Sequence, residues 1–215
     1  MARAVVPELL RRGHHVRGLV RPGSESRLPS GCEPIIGDAL NARSYQEQIN
    51  PADTFVHLVG VAHPSPAKAS QFRCVDLVSA TAAVQAAVHA GIQHFVYLSV
   101  AHPAPMMKAY VQVRTECEAM IRQSGLNATF LRPWYVLGPG HRWPYLLVPM
   151  YWLAERIPAT REGARRLGLV TLAEIKWALV KAIENPARGA RLVEVPEIRQ
   201  SARLFSDSPS LAASV

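Results

Sequence analysis

The chain has 215 residues, of which 49% are hydrophobic, and carries 24 basic against 16 acidic residues, a formal net charge of +8. This length and composition fit one α/β domain and exclude a disordered or low-complexity chain. Cys32, Cys74 and Cys117 lie far apart without paired or metal-ligand spacing. The sequence therefore argues against a disulfide framework or metal site, and we expect a reducing, cytoplasmic location.

The basic residues are scattered, so the charge does not predict a nucleic-acid face. The most apolar run, 145–154, is far shorter than the roughly 20 residues that span a bilayer. We expect no transmembrane segment; a buried helix and an amphipathic lid are the alternatives for this run. The sequence makes no prediction of oligomeric state.

The first predicted helix spans residues 2–12 and is followed by Gly13, which suits a left-handed helix stop, and by a strand at 16–20. The helix has one apolar face, formed by Val5, Val6, Leu9 and Leu10. A helix, a glycine stop and a short strand are typical of the second half of a dinucleotide-binding β-α-β unit. We therefore expect its first strand and glycine loop to lie upstream of Met1.

Short apolar runs then alternate with helical patterns. The predicted strands are 34–36, 54–59, 94–99 and 128–132, and the predicted helices are 44–50, 71–90 and 106–124. Continuous apolar runs are typical of strands buried on both faces. The alternation predicts a Rossmann-like parallel sheet with helices on both faces, lacking its first strand.

The C-terminal part contributes a small substrate-side region from about residue 134. It contains a loop at 133–144, a strand near 167–170, a helix at 172–184 and a strand at 191–195. Thr171 and Glu174 have the spacing of a capping box for that helix. We predict a single domain over 1–197 and a flexible tail over 198–215.

Six segments in chain order support a specific resemblance. They are 16–21, Gly37-Asp38, His57–Gly60, Tyr97–Ser99, Tyr110 with Arg114, and 131–138. Together they resemble an atypical short-chain dehydrogenase/reductase of the NmrA-like or epimerase-like NAD(P)-binding group, over residues 2–197. The resemblance implies a nicotinamide cofactor and a small-molecule substrate or nucleotide ligand.

The resemblance assigns three residues to the cofactor, and two of them, Arg21 and Asp38, to its adenosine half. Arg21 follows the second strand of the fold and, with Arg17 or Ser24, would pair with a 2′-phosphate, which favours NADP(H) over NAD(H). Asp38 would hold the adenine, although an Asx turn or helix cap is an alternative that does not exclude this role. Gly60 would allow the cofactor to approach the backbone closely.

The resemblance also places Ala2 on the third glycine of a G-x-x-G-x-x-G loop. The missing first strand would lie between the strands at 16–20 and 54–59, so we expect these two strands not to pair directly. Because the glycine loop normally binds the diphosphate, we expect the 215-residue chain to bind NADPH weakly or not at all.

Three residues match the catalytic positions of short-chain reductases. Tyr110 would be the acid/base, Ser99 would bind the substrate carbonyl, and Arg114 stands where the family has lysine. The i, i+4 spacing puts Tyr110 and Arg114 on one helix face, where a positive charge favours the phenolate. Because arginine reaches ribose hydroxyls differently from lysine, the substitution weakens the case for turnover.

The loop after the sixth strand of the fold would build the substrate pocket from Trp134, His141, Arg142 and Trp143. A packed, proline-stiffened loop is the alternative. Two functions remain open. One is an oxidoreductase, or an epimerase or dehydratase, that uses NADP(H); the other is a non-catalytic nucleotide-sensing regulator or assembly protein.

Overall fold

The computed structural model describes residues 1–104, 106–137, 163 and 166–206. The strands are β1 (Arg17–Val20), β2 (Glu33–Ile36), β3 (Thr54–His57), β4 (His94–Leu98), β5 (Asn127–Leu131), β6 (Val136–Leu137), β7 (Val170–Thr171) and β8 (Ala190–Val193). The α-helices are α1 (Ala2–Arg11), α2 (Ala69–Gln71), α3 (Val78–His89), α4 (Lys108–Gln123), α5 (Leu172–Glu184) and α6 (Val195–Ser206). Among these described helices, none has an apolar stretch long enough to cross a bilayer.

All strand pairs are parallel, which confirms the predicted architecture. The largest sheet has the order β3-β4-β5-β8, while β1 pairs with β2 and β6 pairs with β7. The prediction that the strands at 16–20 and 54–59 do not pair with each other is also confirmed, because β1 and β3 lie in different sheets.

Alternate side chains of β4 enter two hydrophobic cores, one on each face of the sheet. Phe95 and Tyr97 belong to a core that includes residues of α3 and α4. Val96 belongs to a second core that includes residues of α1, α5 and α6. Leu19 of β1 packs against the first core, so the two-stranded and four-stranded sheets share a helical layer.

The predicted helix at 71–90 is confirmed, with one local difference. A π-helical turn, Phe72–Leu77, separates α2 from α3. Beyond it, α3 turns alanines such as Ala80, Ala83 and Ala87 toward the sheet, and their small side chains allow the helix to pack closely on the strands. The predicted helix at 44–50 is instead two short 3₁₀ turns, Ala42–Ser44 and Gln46–Gln48.

The C-terminal elements include one confirmation and one correction. The capping box is present: the Glu174 N–H donates to the Thr171 side chain, and the Thr171 N–H donates to the Glu174 carboxylate. The predicted tail from residue 198 begins too early, because α6 continues to Ser206 and buries Ile198 and Ser201. An amphipathic face, which covers the second core, explains the difference.

A buried carboxylate ties the carboxyl ends of β4 and β5 to α4. Glu118 is 1% exposed and accepts hydrogen bonds from Ser99 Oγ at 2.6 Å and from Arg132 Nε at 2.9 Å. Arg122, one turn further along α4, donates to its other oxygen at 3.2 Å. Burial alone would raise the pKa of Glu118, but the hydrogen bonds from Arg132 and Ser99 outweigh it and the pKa is lowered.

We expect Glu118→Gln to destabilise the fold by about 3 to 5 kcal/mol at neutral pH, because it removes the buried carboxylate that pairs with Arg132 and leaves that guanidinium only the longer contact with Glu194 at 3.7 Å. A lowered folded-state pKa means that this stabilisation is complete above the unfolded pKa of about 4.3 and is lost as pH falls through the folded pKa. Urea unfolding of wild type and variant at several pH values measures both effects. Glu116→Gln, on the outer face of the same helix, is the control and should cost less than about 1 kcal/mol.

Removal of the helix cap should have a smaller, local effect. Thr171→Ala is expected to cost about 1 kcal/mol, because the Glu174 N–H loses its acceptor at the start of α5. Thr171→Ser keeps the hydroxyl and should stay within a few tenths of a kcal/mol of wild type. Equal melting temperatures for wild type and the alanine variant would contradict the role of this cap.

Candidate functional site

The candidate residues follow the carboxyl ends of successive strands. Arg21 follows β1, Asp38 follows β2, Gly60 follows β3, Ser99 follows β4 and Trp134 follows β5. In open α/β sheets, ligands bind at this edge. The strand order therefore gives these residues a common side of the fold.

A cleft of about 500 Å³ opens beside the end of β1. It is lined by Val20, Arg21, Pro22, Ser24 and Arg27. A 3₁₀ turn that starts at Glu25 contains Arg27, which lines the same cleft as Arg21. Two guanidinium groups and a hydroxyl provide the charged donors that a phosphate requires.

Arg17 does not serve this cleft. Its guanidinium donates to the carbonyls of Gln48 and Asn50 at 2.8 and 2.9 Å, and also to those of Ile49 and Pro51. The expectation that Arg17 assists Arg21 is therefore wrong, because these carbonyls hold its side chain. Ser24 and Arg27, the latter not predicted from the sequence, are the neighbours of Arg21.

Asp38 shapes the loop after β2. Its side chain accepts a hydrogen bond from the Leu40 N–H at 3.0 Å, which forms the Asx turn considered above, and its own N–H donates to Ser44 Oγ at 2.9 Å. The adenine role of Asp38 stays a prediction.

Ala2 is the exposed first residue of α1, and the N-cap residue Met1 contributes no side-chain hydrogen bond. The phosphate role of Ala2 also stays a prediction.

Tyr110 and Arg114 lie together, as their spacing predicts. The guanidinium carbon of Arg114 lies 5.1 Å from the centre of the Tyr110 ring. The Phe72 ring packs on the same phenol, with centroids 5.0 Å apart. Burial raises the pKa of Tyr110, Arg114 opposes that rise and Asp76 adds to it.

The Arg114 guanidinium points inward. It is 5% exposed and donates from Nη2 to Asp76 Oδ1 at 2.5 Å and from Nη1 to the Leu98 carbonyl at 2.9 Å. A Cβ atom on Gly60 would overlap Nη2 of Arg114. In this structure, the absence of a side chain at Gly60 makes room for the guanidinium; the expected approach of a cofactor there stays a prediction.

Ser99 belongs to a different cluster. Its buried hydroxyl donates to Glu118, as described above, whereas Arg114 bonds the carbonyl of the preceding residue, Leu98. The structure thus brings Tyr110, Arg114 and Gly60 together and holds the Ser99 hydroxyl in the Glu118 network.

The substrate-side prediction is only partly covered by the described residues. Trp134 is half-buried and meets Tyr135 edge to face, with ring centroids 5.4 Å apart. His141, Arg142 and Trp143 lie outside the described residues.

Asp76, the partner of Arg114, was not predicted from the sequence. Its position in the sequence is the signal that could have identified it: Asp76 lies four residues from both Phe72 and Ala80, on the face of the predicted helix that the structure buries.

His57 is a second buried residue that was given no role of its own from the sequence. It is 3% exposed, and burial followed by the charge of Arg114 lowers its pKa to about 3, so it is neutral. Across the described ranges, no group of three His, Cys, Asp or Glu side chains is arranged to hold a metal ion.

Solved structures share this fold. The UDP-N-acetylglucosamine 4-epimerase from Bacillus cereus superposes with a TM-score of 0.63 at 16% identity, covering 96% of this chain and 78% of its own. The Bordetella bronchiseptica enzyme WbmH, in complex with NAD+, has a TM-score of 0.64 at 18% identity, with 97% and 78% covered. A short-chain dehydrogenase/reductase superfamily protein from Agrobacterium tumefaciens with bound NAD also has a TM-score of 0.64 at 18% identity, with 89% and 74% covered.

Identities this low show the fold alone, and that fold is Rossmann-like, as predicted. No curated protein matches the chain. The family comparison is more specific, because the model described as NAD(P)H-binding matches residues 1–142, about two thirds of the sequence. It confirms the predicted resemblance to NAD(P)-binding proteins, and the chain belongs to this NAD(P)H-binding family.

Proposed function

We propose that the protein binds NADP(H) and uses it to act on a small molecule. The observation that carries the proposal is the cleft at the end of β1, which Arg21, Ser24 and Arg27 line. A 2′-phosphate needs this donor set, whereas the free 2′-hydroxyl of NAD is usually bound by a carboxylate. The formal net charge of +8 also favours an anionic ligand.

The resemblance assigns the rest of the cofactor to the neighbouring strand ends. With the 2′-phosphate at Arg21, the adenine would lie against the loop at Asp38, and the nicotinamide half would lie toward Gly60 and Tyr110. A bound nicotinamide supplies or accepts a hydride. Tyr110 would hold a substrate oxygen and pass a proton to or from it through its phenol. Trp134 would contribute to the substrate side.

A non-catalytic nucleotide sensor is the second candidate, and two contacts favour it. Arg114, in the position of the family's lysine, is held by Asp76 instead of projecting toward a ribose. The Ser99 hydroxyl is held by Glu118 instead of being presented to a substrate. A protein with this arrangement could keep its nucleotide site while its proton-transfer groups serve the fold.

The phosphate assignment is tested by Arg21→Ala. Loss of a charge-assisted hydrogen bond should weaken NADPH binding about tenfold or more and leave NADH binding unchanged. Titration calorimetry with both nucleotides measures the two dissociation constants. Arg188→Ala removes an exposed arginine from the turn between α5 and β8 and should change neither. Tighter binding of NADH than of NADPH by wild type would refute the assignment.

The two candidate functions are separated by Tyr110→Phe. If Tyr110 transfers a proton, loss of its hydroxyl should reduce NADPH-dependent reduction of a carbonyl panel by about 10²-fold or more, with an unchanged NADPH dissociation constant. Stopped-flow measurement of NADPH consumption gives the rate. Equal turnover by variant and wild type would exclude Tyr110 as the acid/base. NADPH binding without turnover by wild type would favour the sensor.

A further inference from the structure

Asp76 occupies an unusual place in the fold. It lies in the π-helical turn Phe72–Leu77, and its side chain is completely buried. Single π-helical turns inside α-helices occur frequently at functional sites. In this turn the carboxylate faces α4 and the loop after β3, where Oδ2 accepts the Val61 N–H at 3.0 Å and Oδ1 accepts Nη2 of Arg114.

The Arg114 guanidinium is fixed on several sides. Asp76 holds Nη2, while Nη1 donates to the Leu98 carbonyl and to the Tyr97 hydroxyl, the latter at 3.2 Å. Gly60 closes the remaining side, because any Cβ there would overlap the guanidinium. The charge of Arg114 therefore lies beside Tyr110 but is paired with Asp76.

We propose that Asp76 is a positioning residue: its carboxylate pairs with Arg114 beside the Tyr110 ring and so limits the effect of that cation on the Tyr110 phenol. The part played by this phenol toward a substrate rests on the proposed function; its protonation does not. A protonated phenol can donate its proton to a negatively charged substrate oxygen: the phenolic O–H bond breaks, a substrate O–H bond forms, and water returns a proton to the phenolate.

The other groups around the Arg114–Asp76 pair do not supply a further charge beside the Tyr110 phenol. His57, Tyr97 and Cys117 are buried close to Arg114 and are neutral at pH 7, because burial lowers the pKa of the imidazole and raises the pKa of the phenol and the thiol. Lys108, two residues before Tyr110, is exposed to solvent. Among the described groups near the phenol, Arg114 and Asp76 carry the charges that oppose each other in the pKa of Tyr110.

The test is Asp76→Asn in the full chain without nucleotide. The amide keeps the size of the carboxylate and one acceptor for Arg114, but removes the charge. We expect the pKa of Tyr110 to fall by at least one unit. The titration is monitored by NMR of tyrosines labelled at Cζ, and the Tyr110→Phe variant assigns the signal of Tyr110. Asp53→Asn, at an exposed position before β3, changes the net charge equally and should leave the pKa of Tyr110 unchanged.

A second variant keeps the test decisive if Asp76→Asn does not fold. In Asp76→Asn with Arg114→Gln both charges are absent, so no unpaired charge remains buried. If the Arg114–Asp76 pair has no net effect on Tyr110 in the wild type, the pKa of Tyr110 in the double variant should lie within about half a unit of the wild-type value. A rise of more than one unit would show that Arg114 acts as an unbalanced cation and would overturn the proposal.

Two further outcomes are decisive. An unchanged pKa of Tyr110 in folded Asp76→Asn would show that Asp76 serves only the fold. In that case the melting temperature would change while the titration of Tyr110 would not. Because every measurement is made without nucleotide, tighter binding of NADH than of NADPH would refute the proposed cofactor and leave the result for Asp76 standing.

Discussion

The arrangement of the sheet edge at the carboxyl ends of β3 and β4 depends on the ion pair between Arg114 and Asp76. It joins the π-helical turn to α4, and through the Leu98 carbonyl and Gly60 it also fixes the ends of β4 and β3. A buried charge is tolerated only with a partner of opposite sign and further hydrogen bonds. The pair therefore restricts how these four segments can be placed relative to one another.

Two sets of the described arginines have different surroundings. Arg114, Arg132 and Arg17 are held by protein oxygens, which come from carboxylates in the first two cases and from backbone carbonyls in the third. Arg21 and Arg27 line an open cleft and are exposed. This division separates the arginines that hold the fold together from those that can meet an anion from solvent.

Local patterns explain how much of the structure could be predicted from the sequence. The capping box of Thr171 and the shared face of Tyr110 and Arg114 depend on spacings of three and four residues, and both were predicted. The partner of Arg114 was not, because Asp76 lies 38 residues away and no local spacing links the two positions. The contacts of Arg17 were missed for a similar reason: their acceptors are backbone carbonyls, which any sequence at 48–51 would supply.

The close approach at Gly60 also limits the order in which this site can evolve. A side chain at position 60 would collide with the guanidinium of Arg114, so we expect a substitution there to require that this guanidinium shift or that position 114 carry a smaller residue. Loss of Arg114 would in turn leave the buried Asp76 without its cation. Positions 60, 76 and 114 are therefore epistatic, and substitutions that are harmful one at a time become acceptable only in certain sequences of steps.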